Sequence, residues 1–184
     1  MTVFEEGMRT LDKSMQMCRK KGTFAPATEN ELQQLSDLCE GKMPEDMRKF
    51  FSECMPQEEV KLGGYVLYPL SRIIQENSDY VPGCIIRPFG FFTFASTLDG
   101  DAVALDLTKP NGHVYQCSHS LISEDGMSFY AKGKMVHYDL NYDNIVKCSF
   151  NVGWYFSDFI KWIRSGRNGS IGIIDWLIRE YEKN

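Results

Sequence analysis

The chain has 184 residues, 43% of them hydrophobic and 13% aromatic, enough to bury a core and economically read as one domain over residues 1 to 184. Its net charge is −5, which repels phosphate backbones, and no apolar run nears the ~18 residues of a membrane span, so neither nucleic acid nor a membrane is expected as a partner. The opening "MTVFEEGMRT" lacks the basic-then-apolar layout of a secretory signal and the six cysteines include no CxxC pair, so the expected setting is cytoplasmic, with reduced and mostly buried thiols.

The first third reads as helices. Residues 3 to 21 place Met8, Leu11, Met15 and Cys18 at helical spacing. In "TENELQQLSDLCEG", Thr28 and Glu31 have the spacing of a capping box, Leu32, Leu35, Leu38 and Cys39 form one apolar stripe, and Gly41 stands where the helix should stop. "PEDMRKFFSEC" then puts Pro44 in a first turn, followed by Glu45 and Asp46 at the positive end of the helix dipole. Met47, Phe50, Phe51 and Cys54 should face the core. Residues 28 to 59 carry nine acids and three bases, whereas residues 1 to 27 carry three acids and five bases, so the acidity is local. A solvated helical face explains most of these side chains; a surface for a basic protein partner is the alternative.

The middle turns to strand chemistry. "GGYVLYPLSRII" opens on a glycine pair and β-prone residues, with Pro69 excluding a central ladder position at its end. "IIRPFGFFTFAST" is dense in β-branched and aromatic residues. In "TFASTLDGDAVALDL", Asp99-Gly100 between apolar runs predicts a two-residue type I′ hairpin loop, which would pair Leu98 with Asp101 and set Thr93 opposite Asp106. "KPNG" (109 to 112) makes the next turn and "HVYQCSHS" the next strand, giving a meander of at least three antiparallel strands.

The carboxylates of that meander admit three uses. An EF-hand loop fails, because the twelfth position counted from Asp99 is Pro110 rather than Glu. A catalytic pair fails for Asp101 and Asp106, which an odd spacing sends to opposite faces of a strand. Asp99 and Asp101 remain as turn-forming residues, as contacts for a partner, or as a weaker candidate for metal or acid–base work. His113, Cys117 and His119 share a strand face and are zinc-ligand types, but positions 113 and 119 lie about 20 Å apart in an extended strand. No CxxC, HExxH, GxSxG or GxGxxG is present. The expectation is no metal, no cofactor and no catalytic residue.

After residue 120 the chain is expected to loosen through "SEDGMSFYAKGK" and "MVHYDLNYDN" into two helices. The first carries the stripe Phe156, Phe159, Ile160 and Ile163 and stops at Gly166; Ser170 should cap the second, with Ile171, Ile174, Ile178 and Tyr181 inward. Helices, then strands, then helices give an α+β class: a central, mostly antiparallel sheet flanked by N-terminal and C-terminal helices.

The ordered set "TENELQQLSDLCEGKMPEDMRKFF", "GGYVLYPLSRI", "FFTFASTLDGDAVALDL", "GHVYQCSHS" and "GWYFSDFIKWI" resembles the SUKH superfamily, specifically its Smi-one/Knr-four branch. The resemblance covers roughly residues 28 to 165 and leaves 1 to 27 as an N-terminal extension and 166 to 184 as an added C-terminal helix. It departs from the family pattern at "ECMPQEE", where an Asn-Gly turn is usual, and at Ile160, where Leu is usual. The resemblance implies a non-enzymatic binding protein. Bacterial members resemble immunity proteins that neutralise a cognate polymorphic toxin, often a nuclease or deaminase; fungal members resemble regulators of cell-wall synthesis. The expected partner is a basic toxin domain, and the alternative is a regulatory scaffold. A small metal-dependent enzyme built on Cys117 and His119 is a further alternative. Expected partner contacts are Glu45, Asp46, Asp99 and Asp101, with Glu124 and Asp125 as a second possibility.

Overall fold

The computed structural model describes residues 3–18, 22–164 and 172–183. Helix α1 (Val3–Cys18) buries Leu11 and Met15, with Met8 and Cys18 packed at the core's edge, as the spacing predicts. Helix α2 (Glu29–Leu38) starts on the expected capping box: the Glu31 N–H donates to Thr28 Oγ1 at 3.3 Å, and the Thr28 N–H donates to Glu31 Oε2 at 2.7 Å. Helix α3 (Glu45–Cys54) buries Met47, Phe50, Phe51 and Cys54; Pro44 is its N-cap rather than part of its first turn.

A short ladder joins β1 (Phe24–Ala25) to β2 (Met55–Pro56). Then follow β3 (Val60–Leu62), β4 (Tyr65–Leu67), α4 (Leu70–Ser78), the single turn α5 (Gly83–Ile86), β5 (Phe91–Thr97), β6 (Ala102–Asp106) and β7 (Val114–Cys117). β8 (Ile122–Ser123), β9 (Gly126–Ala131) and β10 (Lys134–Tyr138) precede α6 (Tyr142–Lys147), β11 (Phe150–Gly153), α7 (Phe156–Arg164) and α8 (Ile173–Lys183). The main sheet has the order β11-β7-β6-β5-β4-β3 and is antiparallel throughout. The fold is α+β with helices from both ends of the chain on an antiparallel sheet.

Every residue of β5 and β6 is buried, because the main sheet is covered on both faces. Phe92, Phe94, Val103 and Leu105 face α1, α3 and α7, whereas Phe91, Ala102 and Ala104 face the second sheet, α6 and α8. On the first side Phe156 of α7 lies 5.4 Å from Phe50 and 5.3 Å from Phe94, ring centre to ring centre, and Phe159 lies 5.2 Å from Tyr65. The stripe Phe156, Phe159, Ile160 and Ile163 is buried as expected.

Four expectations need correction. Pro69 caps α4, so the end of "LYPLSRII" is helical; a proline that cannot donate to a ladder is suited to a helix start. The supposedly loose segment after 120 is the second sheet, order β10-β9-β8, whose inner face (Met127, Phe129, Ala131) packs on α8. In α8 the fully buried positions are Ile173 and Leu177; Ile174, Ile178 and Tyr181 flank them half-buried. Gly166, Ser170 and Ile171, named as stop, cap and first inward residue, lie outside the described residues.

The fourth correction is the hairpin. The Thr97 N–H donates to the Asp101 carbonyl at 2.9 Å and Ser96 pairs with Ala102, so the loop has three residues, Leu98 to Gly100. The Gly100 N–H closes a turn on the Thr97 carbonyl at 3.1 Å, and only Gly100 within the loop has positive φ (+93°). This is a turn followed by a left-handed residue, not type I′. An irregularity between Thr93 and Ala95 then sets Asp106 opposite Phe91, not Thr93. The type I′ geometry sits instead at Gly63-Gly64, between Leu62 and Tyr65, with φ of +57° and +89°. A Cβ on Gly63 would come within 2.1 Å of the Ile163 carbonyl oxygen, so the end of α7 can approach the β3–β4 turn this closely only over a glycine. At Gly100 the space is open, the nearest atom being 3.7 Å away on His119, and only φ constrains it. Gly100→Val should therefore lower stability by roughly 1 kcal/mol or more, whereas Gly100→Asn should be milder; equal melting temperatures for all three proteins would mean the turn is elsewhere.

Candidate functional site

The three-residue loop delivers Asp99 and Asp101 to different environments. Asp99 is exposed at the tip. Asp101 is only 9% exposed and clamps three segments. Its N–H donates to Thr97 Oγ1 at 3.1 Å, its Oδ2 accepts from Gln116 Nε2 of β7 at 2.9 Å, and its Oδ1 accepts from the His119 N–H at 3.2 Å and meets His119 Nδ1 at 3.0 Å. The β5–β6 and β7–β8 loops are thereby tied together at one end of the main sheet. The first turn of α8 closes the other side with Asp175, leaving a recess of about 390 Å³ lined by Asp99, Asp101, His119, Ser120 and Asp175.

Within the recess His119 Nε2 also lies 3.2 Å from Ser120 Oγ, so carboxylate, imidazole and hydroxyl occur in the order of a nucleophilic triad. The connections are those of a loop clamp. Asp101 Oδ1 is shared between the imidazole and a backbone N–H, His119 and Ser120 are adjacent in sequence, and both are exposed. A second such set, Ser128 Oγ at 2.9 Å from His137 Nδ1 with Asp139 at 4.0 Å from Nε2, is a cross-strand contact on the open face of β9 and β10, where no wall excludes water.

Asp106 does not join Asp101. It is fully buried at the far end of β6, where Oδ1 accepts from the Thr108 N–H (2.9 Å) and hydroxyl (2.6 Å) and Oδ2 accepts from Tyr142 OH at 2.7 Å. Gln116, Tyr142 and Asp175 belong to no sequence motif; a glutamine midway along an apolar strand, between Tyr115 and Cys117, is the available signal for a buried polar partner.

The acids expected to contact a partner are not one patch. Glu45 and Asp46 stand beside the 109-to-112 turn and Tyr155, at the opposite end of β6 from Asp99. Five residues of β6 separate the two ends by about 17 Å. Glu124 and Asp125 form the exposed two-residue loop between β8 and β9. Asp46 leaves the set of surface acids: it is 1% exposed and its Oδ2 accepts the Ser157 N–H at 2.7 Å, capping α7 from another element.

Burial pushes the Asp46 carboxyl above its ordinary value, against the hydrogen bonds from Ser157 and Met47 that draw it down. An acid raised in the folded state contributes stability that is complete below its unfolded pKa, about 3.9, and is lost as pH rises through the folded value. Asp46→Asn keeps an acceptor for Ser157 and removes this titration. The stability of the natural protein relative to Asp46→Asn should fall between about pH 4 and neutrality; a relative stability that rises over that window in denaturant titrations would contradict the burial effect.

The zinc-type residues have separate partners. Cys117 is buried and accepts from Ser149 Oγ at 3.2 Å, His119 is held by Asp101, and the His113 ring packs edge-on against Trp154 at 4.7 Å. Among the described residues no three His, Cys, Asp or Glu side chains are grouped to hold a metal. All six cysteines are free thiols, and burial pushes Cys39 and Cys117 up to about 12 and Cys148 to about 11, where thiolate chemistry is suppressed. No helix of the described residues is long and apolar enough to cross a membrane.

The clamp joins "GD" of the β5–β6 hairpin to the histidine after "GHVY", two separate pieces of one ordered pattern. A family model described as SMI1 / KNR4 family (SUKH-1) matches residues 26–133, more than half of the chain. The chain belongs to the SMI1 / KNR4 family. The matched segment runs from just before α2 to the turn after β9, so the β5–β6 hairpin, the Asp101 clamp and the Glu124-Asp125 loop all fall within the family region. The closing helix α7, which the resemblance had included, lies beyond it, as does α8. No curated protein and no solved structure matches this chain.

Proposed function

We propose that this SMI1 / KNR4 family protein is a non-enzymatic binding domain that acts in the cytoplasm as an immunity protein, neutralising a cognate polymorphic toxin of nuclease or deaminase type. Family membership over residues 26–133 carries this reading. Its chemistry is consistent: the candidate triads are a loop clamp and an open cross-strand contact, four of the six thiols are buried, and the exposed acids Asp99 and Asp175 flank a recess at one end of the sheet. A basic domain that binds phosphate is complementary to that rim, and complementary charge speeds encounter. Asp101 acts as the clamp that fixes the loop rather than as a direct contact. Glu45, at the other end of β6, and the Glu124-Asp125 loop are the other surfaces a partner can use.

The test is co-purification. This protein, tagged and co-expressed with each inactivated toxin domain encoded beside its gene, should retain one of them as a stoichiometric complex. Retention of none at low salt would overturn immunity, and an isolated locus with a cell-wall or signalling partner instead would assign the regulatory role.

A further inference from the structure

The cleft between β10 and α8 plays no part in the toxin-binding reading, and most of its lining lies beyond the family-matched residues. It encloses about 710 Å³, within the roughly 300–1,000 Å³ of small-molecule sites. Lys132, Lys134 and Lys147 stand around it; among the described residues none of the three makes an ion pair. In a chain of net charge −5, three lysines around one cleft with no ion pair of their own are an arrangement that repulsion opposes and an anion relieves.

The walls are aromatic and braced. Trp176 packs edge-on against Phe150 at 5.8 Å, and Tyr181 against Phe129 at 5.9 Å, so each ring is held by an aromatic neighbour. Lys147 Nζ sits 4.3 Å from the centre of the Tyr138 ring and Lys132 Nζ 5.6 Å from that of Tyr181, so two of the ammonium groups rest on aromatic residues of the lining. Glu180, also in the lining, is bonded to Lys183. With Glu180 neutralised by Lys183, the three lysines of the lining keep their positive charges, enough to hold the charge of roughly −1.5 to −2 on a phosphomonoester at neutral pH.

We propose that this cleft binds a planar aromatic phosphomonoester, of which a nucleoside monophosphate is the simplest example, with the phosphate among Lys132, Lys134 and Lys147 and the ring against Trp176 and Tyr181. A cleft of this volume suits one such molecule better than an extended chain.

Calorimetric titration of the full chain with adenosine monophosphate tests it. Expected is saturable binding at one site, weakened about tenfold or more when either adenosine or inorganic phosphate replaces the nucleotide. Lys134→Gln and Lys147→Gln, each at an exposed position, should each weaken binding several-fold while leaving the protein folded. Absence of binding at millimolar nucleotide, equal affinity for phosphate alone, or insensitivity to both lysine variants would each overturn the proposal. Tighter binding of a single-stranded oligonucleotide, or of a glutamate-rich peptide carrying one tryptophan, would overturn it in favour of a macromolecular partner.

Discussion

Phe156→Ala is expected to cost about 3–5 kcal/mol, a large share of the roughly 5–15 kcal/mol that holds a domain folded. Phe156 opens α7 and is fully buried, with Phe50, Phe51 and Phe94 around it at ring separations of 5.3 to 5.9 Å. Those neighbours come from α3 and β5, so removal of one ring opens a cavity where three elements meet. Collapse into it is resisted from two sides: Asp46 pins the α7 backbone through Ser157, and Gly63 lies against the carbonyl of Ile163 near the far end of the helix. Chemical denaturation should show the loss as a lower midpoint. A loss below about 1 kcal/mol would mean that α7 is not packed on the sheet through this ring.

Reversing charge at both rims of the recess, Asp99→Lys with Asp175→Lys, is expected to slow association with the proposed basic toxin domain by about tenfold or more at low salt. The two residues come from the loop before β6 and the first turn of α8, and both are exposed, so the fold should tolerate the change. Asp101 is unsuitable for this experiment because its removal would release Gln116 and His119 and unfasten the loop. The effect should lie mainly in the on-rate and fade as the Debye length falls to about 3 Å in molar salt. Glu45→Lys, placed at the opposite end of β6, reports separately on that surface. Stopped-flow traces unchanged by the double reversal, with Glu45→Lys slow, would move the contact to the α3 end.

Local chemistry made much of this fold readable from sequence. The capping box at Thr28 and Glu31 and the stripes of α3 and α7 each depend on residues a few positions apart, and each is found. Pairing across the sheet was less legible. Asp99-Gly100 reads as a two-residue loop, but the closing bond from Thr97 to Asp101 is set by what Asp101 grips on β7, which no local pattern records. Missing the second sheet has a similar cause: β9 alternates as a strand should, but "SEDG" and "KG" at its ends look like loop, and its inner face is explained only by α8 some fifty residues later. The acids of the site illustrate the same limit. Glu45 and Asp46 are neighbours in sequence, yet one is exposed and the other is the buried cap of a helix more than a hundred residues away. Helical spacing puts Asp46 on the face of Phe50 and Cys54, but its role as a cap is set by Ser157, which no pattern in residues 28 to 59 records.

Immunity is tested most directly by survival. Cells carrying an inducible copy of a candidate toxin encoded near this gene would be grown with and without this protein. Neutralisation predicts that growth is restored by the natural protein and by Asp46→Asn, and is restored less well by the Asp99→Lys, Asp175→Lys double variant. Killing that proceeds equally with and without the natural protein, at expression levels where it is folded and in excess, would contradict the proposed function.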